Sequence, residues 1–218
     1  MDKIRRTVIS IGTLGDSHVG KTNLASIYTN QGFNLEYTST IGVTNYIKEI
    51  KINIDGELLD IKVKIWDTAG QERFRSLSIN YIRNCLGLLM VYSVDNIESF
   101  KNIEMWLKEV SEKCDQKYKI PLVLIGNKCD LEENVSEIEG RKLAEKYDMK
   151  FFLCSAKENI NVQEAFQCLI DDIVNIRKSE FIVENNKEKK KDDNHGGCCK
   201  KKEKNKKKKD EPKLNMKN

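Results

Sequence analysis

Hydrophobic and polar positions switch between two periods along the first 178 residues of this chain. Thr7 to Leu14 is a short apolar run that reads as a strand, and Thr22 to Tyr28 reads as the start of a helix. After an extended polar stretch, Ile50, Ile52 and Ile54 alternate with polar residues, and Ile61, Val63 and Ile65 do the same. The Asp55-Gly56 between these runs predicts a tight hairpin. Three further runs, Leu86 to Tyr92, Pro121 to Gly126 and Phe151 to Cys154, read as buried strands. Helical spacing recurs at Phe100, Ile103, Leu107 and Val110, and again at Val162, Phe166, Leu169, Ile170, Ile173 and Ile176. Strands interleaved with helices predict an α/β fold, a mainly parallel sheet covered on both faces. Its ligand belongs outside the C-terminal ends of the strands. No internal repeat is visible.

The junction of the first strand and helix carries the strongest chemical signal. Gly15-Asp16-Ser17-His18-Val19-Gly20-Lys21-Thr22 fits G-x-x-x-x-G-K-[ST] in the strand–loop–helix setting that this phosphate-binding motif needs. Glycines let the backbone curl so that successive N–H groups face phosphate oxygens, and the helix adds its partly positive N-terminus. Lys21 is placed to bridge the outer phosphates and Thr22 to hold Mg2+. Two later segments follow strands and read the base. In Asn127-Lys128-Cys129-Asp130 a carboxylate accepts two hydrogen bonds from guanine N1–H and its 2-amine, where adenine would leave it facing an acceptor. Ser155-Ala156-Lys157 is placed to offer a backbone N–H to guanine O6. Trp66-Asp67-Thr68-Ala69-Gly70-Gln71-Glu72 ends the third strand. There Asp67 is placed at the magnesium shell, the Gly70 N–H at a γ-phosphate, and Gln71 where it orients an attacking water. Thr40 supplies a second hydroxyl to magnesium, and Thr40, Lys21 and Gln71 form the expected catalytic set.

With these motifs in view, residues 4 to about 178 resemble the Rab family of Ras-like small GTPases. Tyr37-Thr38-Ser39-Thr40-Ile41-Gly42-Val43 resembles the first switch of that family, and Trp66 to Phe74 with Arg75-Ser76-Leu77 the second. Ser99-Phe100-Lys101-Asn102-Ile103 with Trp106-Leu107 is also Rab-like. The resemblance implies a single phosphate-loop NTPase domain over residues 1–180 with a mixed, mainly parallel six-stranded sheet, the small G-protein fold. It implies a GTP/GDP switch in vesicle traffic, with Phe33 and Tyr37 against the nucleotide. Intrinsic hydrolysis is expected to be slow, with an activating protein supplying an arginine finger. Exchange factors, effectors and a monomeric state are further expectations. A phosphate-loop kinase is the enzymatic alternative, but no arginine-rich acceptor lid is visible; a hydrolysis-poor, nucleotide-bound interaction protein is the other.

The chain departs from the family in three places. Thr44-Asn45-Tyr46-Ile47 stands where Asp then Phe usually follow Val43, and the hairpin is longer by about two residues per arm. Either Tyr46 or Ile47 is therefore expected to replace the family's phenylalanine. His18 stands inside the phosphate loop where something smaller is usual, and is expected to hinder an incoming arginine finger. The third departure is the tail.

Composition changes the picture mainly there. The chain has 38 basic and 34 acidic residues among 218, but 14 Lys against 6 Asp or Glu lie between Lys187 and Asn218. The rest, with 24 basic and 28 acidic residues, is mildly acidic and gives no hint of nucleic-acid binding. Residues 181–218 are expected to form a disordered Lys-rich tail. Within it Gly196-Gly197-Cys198-Cys199 resembles the prenylated cysteine pairs that end Rab chains, yet 19 residues follow. Two readings of the cysteines stay open, a processed chain with a lipidated end or an unlipidated variant; the lysines in turn either bind anionic membrane or form a solvated low-complexity tail. Metal binding by His195 and the pair lacks the four-ligand spacing. No apolar run is long enough to span a bilayer, Asp2 excludes N-myristoylation, and Met1 to Ile11 reads as structural rather than as a signal peptide. Seven cysteines, an odd number, fit a reducing cytosolic setting, with the protein peripheral on endomembranes.

Overall fold

A computed structural model describes residues 7–34, 42–68, 81–113 and 120–195; for 182–195 and residue 113 it describes the backbone alone. Six strands form one sheet: β1 (Thr7–Leu14), β2 (Val43–Ile54), β3 (Glu57–Thr68), β4 (Gly87–Ser93), β5 (Leu122–Asn127) and β6 (Lys150–Leu153). Among the described residues the helices are α1 (Lys21–Tyr28), α2 (Ile97–Lys113), α3 (Glu137–Lys146) and α4 (Val162–His195). The strand order is β2-β3-β1-β4-β5-β6, with only β2 antiparallel to its neighbour.

Alternation along the central strands feeds two cores. Ile9 and Ile11 of β1, Leu89 and Val91 of β4, and Val123 and Ile125 of β5 pack toward α1 and α4. Leu88, Met90 and Tyr92 of β4 and Leu124 of β5 pack with Ile103, Trp106, Leu107 and Val110 of α2 and Ala144 of α3. Both faces of β4 are thus buried, which is why its sequence is a continuous apolar run. In the hairpin, Asp55 and Gly56 both have positive φ, at 53° and 85°, as a type I′ turn requires.

Two expectations change in the structure. Strand register pairs Asn45 with Trp66, Tyr46 with Ile65, and Ile47 with Lys64. Directly opposed residues share a face, so Tyr46 packs with the α1–α4 core while Ile47, 46% exposed, shares the opposite face of the sheet with Trp66. Tyr46 is therefore excluded from the Trp66 patch by parity, and the position facing Trp66 is polar Asn45. Second, Ile176 lies 48% exposed rather than in the core; it sits one residue before a kink at Arg177 (φ −114°, ψ 18°), and the buried residues around it are Ile173, Val174 and Phe181. The helical backbone then runs on to His195, into the segment where the tail was expected to begin. Cys198 and Cys199 lie outside the described residues. No described helix is long and apolar enough to cross a membrane.

Candidate functional site

Five parallel strands end at the same edge of the sheet, and the described motifs follow four of them, β1, β3, β5 and β6. β1 leads into the loop from Gly15 to Gly20. That loop needs glycine at both ends: a Cβ on Gly15 would lie 2.0 Å from the Val91 carbonyl oxygen, and one on Gly20 2.2 Å from the Asn127 amide nitrogen. Gly20, at φ 95°, is the N-cap of α1 and offers no side-chain cap, which leaves the first amides of the helix available to an anion.

Lys21 is 5% exposed, and its ammonium donates to the backbone oxygens of Gly15 at 2.9 Å and Asp16 at 2.7 Å. Burial lowers its pKa from 10.5 to about 8, against the opposing pull of Asp67 and Asp16. The Thr22 hydroxyl donates to Asp67 Oδ2 at 2.7 Å, and the Thr13 hydroxyl lies 3.4 Å from Oδ1. Asp67 is fully buried at the end of β3; burial raises its pKa, and the Thr22 hydrogen bond is the largest opposing influence. A half-buried hydroxyl beside a buried carboxylate, next to a phosphate loop, has the hard-oxygen chemistry that Mg2+ takes. Ser17 is half-buried, Val19 buried, and His18 exposed with φ 64°, a conformation uncommon outside glycine.

The base-reading segments are tied to this loop directly. Asn127, 1% exposed, donates from its side-chain amide to the Val19 carbonyl at 2.8 Å and accepts from the Ala156 N–H at 3.2 Å. Asp130 accepts from the Ser155 hydroxyl at 2.5 Å, and Lys157 Nζ lies 3.9 Å from its other oxygen. The carboxylate that would read guanine is thus aimed by the neighbouring segment. Lys128, with φ 64°, reaches Asp95 at 3.9 Å, which also accepts from the Ser93 hydroxyl. Phe33 is half-buried against the α1–α4 core. Tyr37, Thr40, Gly70 and Gln71 lie outside the described residues.

Sequence reasoning missed the groups behind the loop. The Asn102 amide donates to Asp16 Oδ2 at 2.7 Å, and the Trp106 indole to Asp16 Oδ1 at 2.9 Å. Their i, i+4 spacing on α2 was readable, but a tryptophan at an apolar helical position reads first as core. Thr13, which contacts Asp67, was likewise hidden inside a strand.

Fold and site together define a phosphate-loop nucleotide-binding protein of the small G-protein architecture. The Ras family model matches residues 11–175. Over 163 residues the chain is 39% identical to Ras-related protein Rab-10 of Diplobatis ommata, covering 74% of this chain and 78% of that one. Ras-related protein Rab-8B of Homo sapiens is 42% identical over 163 residues, with 74% and 76% covered. Ras-related protein RGP2 of Oryza sativa subsp. japonica is 42% identical over 165 residues, with 75% and 73% covered. The chain belongs to the Rab small GTPases of the Ras family.

Proposed function

We propose that this protein is a guanine-nucleotide switch that hydrolyses GTP to GDP and recruits effectors during membrane traffic. One observation carries the reading: Asn127 joins the phosphate loop to the Ser155–Lys157 segment, so triphosphate grip and base reading form one site. The binding loop and Lys21 hold the phosphates, Asp130 and the Ala156 region take guanine, and Phe33 and Tyr37 flank the nucleotide. Thr22, Asp67 and Thr40 would hold Mg2+, which would supply neutralisation of phosphate charge. Gln71 orients the attacking water, while Thr40 and Gly70 draw the two switch segments together when a γ-phosphate is present.

Intrinsic turnover is slow and rises by about 10³–10⁵ with an activating protein. The protein is a monomer that sits on the cytosolic face of endomembranes, through its lysine-rich tail or lipidated Cys198 and Cys199. Effectors meet a patch of Trp66 and Ile47, with polar Asn45 opposite Trp66. Single-turnover hydrolysis with GTP and with ATP tests the core of this reading: magnesium-dependent GTP cleavage with ATP untouched is expected, and equal use of ATP overturns it.

A second reading is favoured by one observation, the exposed His18 at the mouth of the loop. There the protein binds GTP tightly but responds weakly to activating proteins. Equal stimulation of the native chain and of His18→Gly by the same activating protein refutes it.

A further inference from the structure

We propose that Asn102 and Trp106 of α2 are positioning residues that hold the phosphate loop in its binding shape through the Asp16 carboxylate. The inference rests on the nucleotide-binding reading above and names groups that reading does not use.

Asp16 puts a negative charge inside a loop whose task is to bind anions. A carboxylate facing the same space as the phosphates would oppose their binding through like-charge repulsion. The structure turns that charge away from α1. Oδ2 accepts from the Asn102 amide at 2.7 Å, and Oδ1 from the Trp106 indole at 2.9 Å. The two donors stand one turn apart on α2, so a single helix face presents a fork that matches both carboxylate oxygens.

The consequence passes through the backbone. With its side chain pinned outward, Asp16 directs its own carbonyl at the Lys21 ammonium, 2.7 Å away. Lys21 also takes the Gly15 carbonyl. A buried ammonium held by two loop carbonyls is already in place when phosphate arrives, which spares the ordering of a long flexible side chain. Trp106 is fully buried and its indole N–H can only donate, so the loss of this acceptor leaves it with one fewer partner in the core.

The full chain is loaded with a fluorescent GDP analogue and chased with excess GDP to measure dissociation. Trp106→Phe and Asn102→Ala are each expected to speed release about tenfold, the scale of one hydrogen bond to a charged group. Asp16→Ala is expected to do the same, and adding Trp106→Phe to it to produce no further change. Asp16→Asn recovers most of the loss, because Asn102 can reverse its amide and pair with it. The Trp106 indole N–H resonance, distinguished from that of Trp66 by Trp66→Phe, is expected to move upfield in Asp16→Ala. Unchanged release in Asn102→Ala and Trp106→Phe, or full additivity with Asp16→Ala, overturns the proposal. Should Trp106→Phe fail to fold, Asn102→Ala on the half-buried side of α2 decides alone. If the native chain retains no guanine nucleotide, it is the function reading that fails.

Discussion

Lys21 carries its charge into a place where burial opposes it. With a pKa of about 8 against 10.5 when exposed, the ligand-free protein gains stability as pH rises between these values, since only the unfolded chain then still holds the proton. Bound phosphate favours the ammonium, so GDP affinity is expected to be full below about pH 8 and to fall as pH rises through it. Calorimetry in buffers of different ionisation enthalpy should find proton uptake on GDP binding at pH 8.5 and little at 6.5; equal uptake at both removes Lys21 as the cause. Tyr92 shows the opposite economy. It is fully buried, its hydroxyl has no hydrogen-bond partner among the described residues, and burial pushes the phenol pKa up. Tyr92→Phe is therefore expected to raise stability by about 1 kcal/mol in chemical denaturation, since an unsatisfied polar group is removed with little loss of volume.

At the level of elements, α3 is held by its ends more than by its apolar content, with only Gly140 and Ala144 buried. Ser136 accepts from the Glu139 N–H, and Glu139 accepts from the Ser136 N–H at 2.9 Å, a complete capping box. Ser136→Ala is expected to lower stability by about 1 kcal/mol, measured by denaturant unfolding, without changing GDP release. The hairpin shows the same dependence on end chemistry. Gly56 has open space around it but a φ of 85°, so Gly56→Ala is expected to destabilise by about 1 kcal/mol through backbone strain alone. A loss well beyond that in thermal unfolding would mean that the tip packs against something. The hairpin tip also meets the far helix: Lys178 of α4 pairs with Asp55 at 2.5 Å, just past the kink at Arg177, and Phe181 is buried. The tip of the β2–β3 hairpin is thus tied to α4 one residue past its kink.

Across the whole molecule, the site works because loops far apart in sequence share partners. Asn127 is the clearest case, bonding to Val19 and to Ala156. Asn127→Ala breaks both ties and leaves a buried carbonyl and amide unpaired, so nucleotide affinity is expected to fall by about a hundredfold or more. Dissociation of a fluorescent GDP analogue measures it; a change under threefold would show that the loops hold their places independently.

Local chemistry was legible wherever neighbours in sequence suffice to specify it. The Asp-Gly turn and the buried strands follow from glycine placement and from period; β1, β4, β5 and β6 appear within a residue of where the pattern puts them, whereas β2 and β3 extend well beyond the alternating isoleucines and valines, to Val43 and Thr68. The α3 helix escaped that reading because its signal is a capping box rather than an apolar stripe. What only the tertiary structure decided is which residues meet across the fold. Sheet parity sent Tyr46 inward and left Asn45 facing Trp66. The packing of α2 brought Asn102 and Trp106 to Asp16, across 86 and 90 residues of chain. Such pairings depend on how separate elements dock, and a one-residue slip of β2 would reverse them; no periodicity within a single segment encodes that choice.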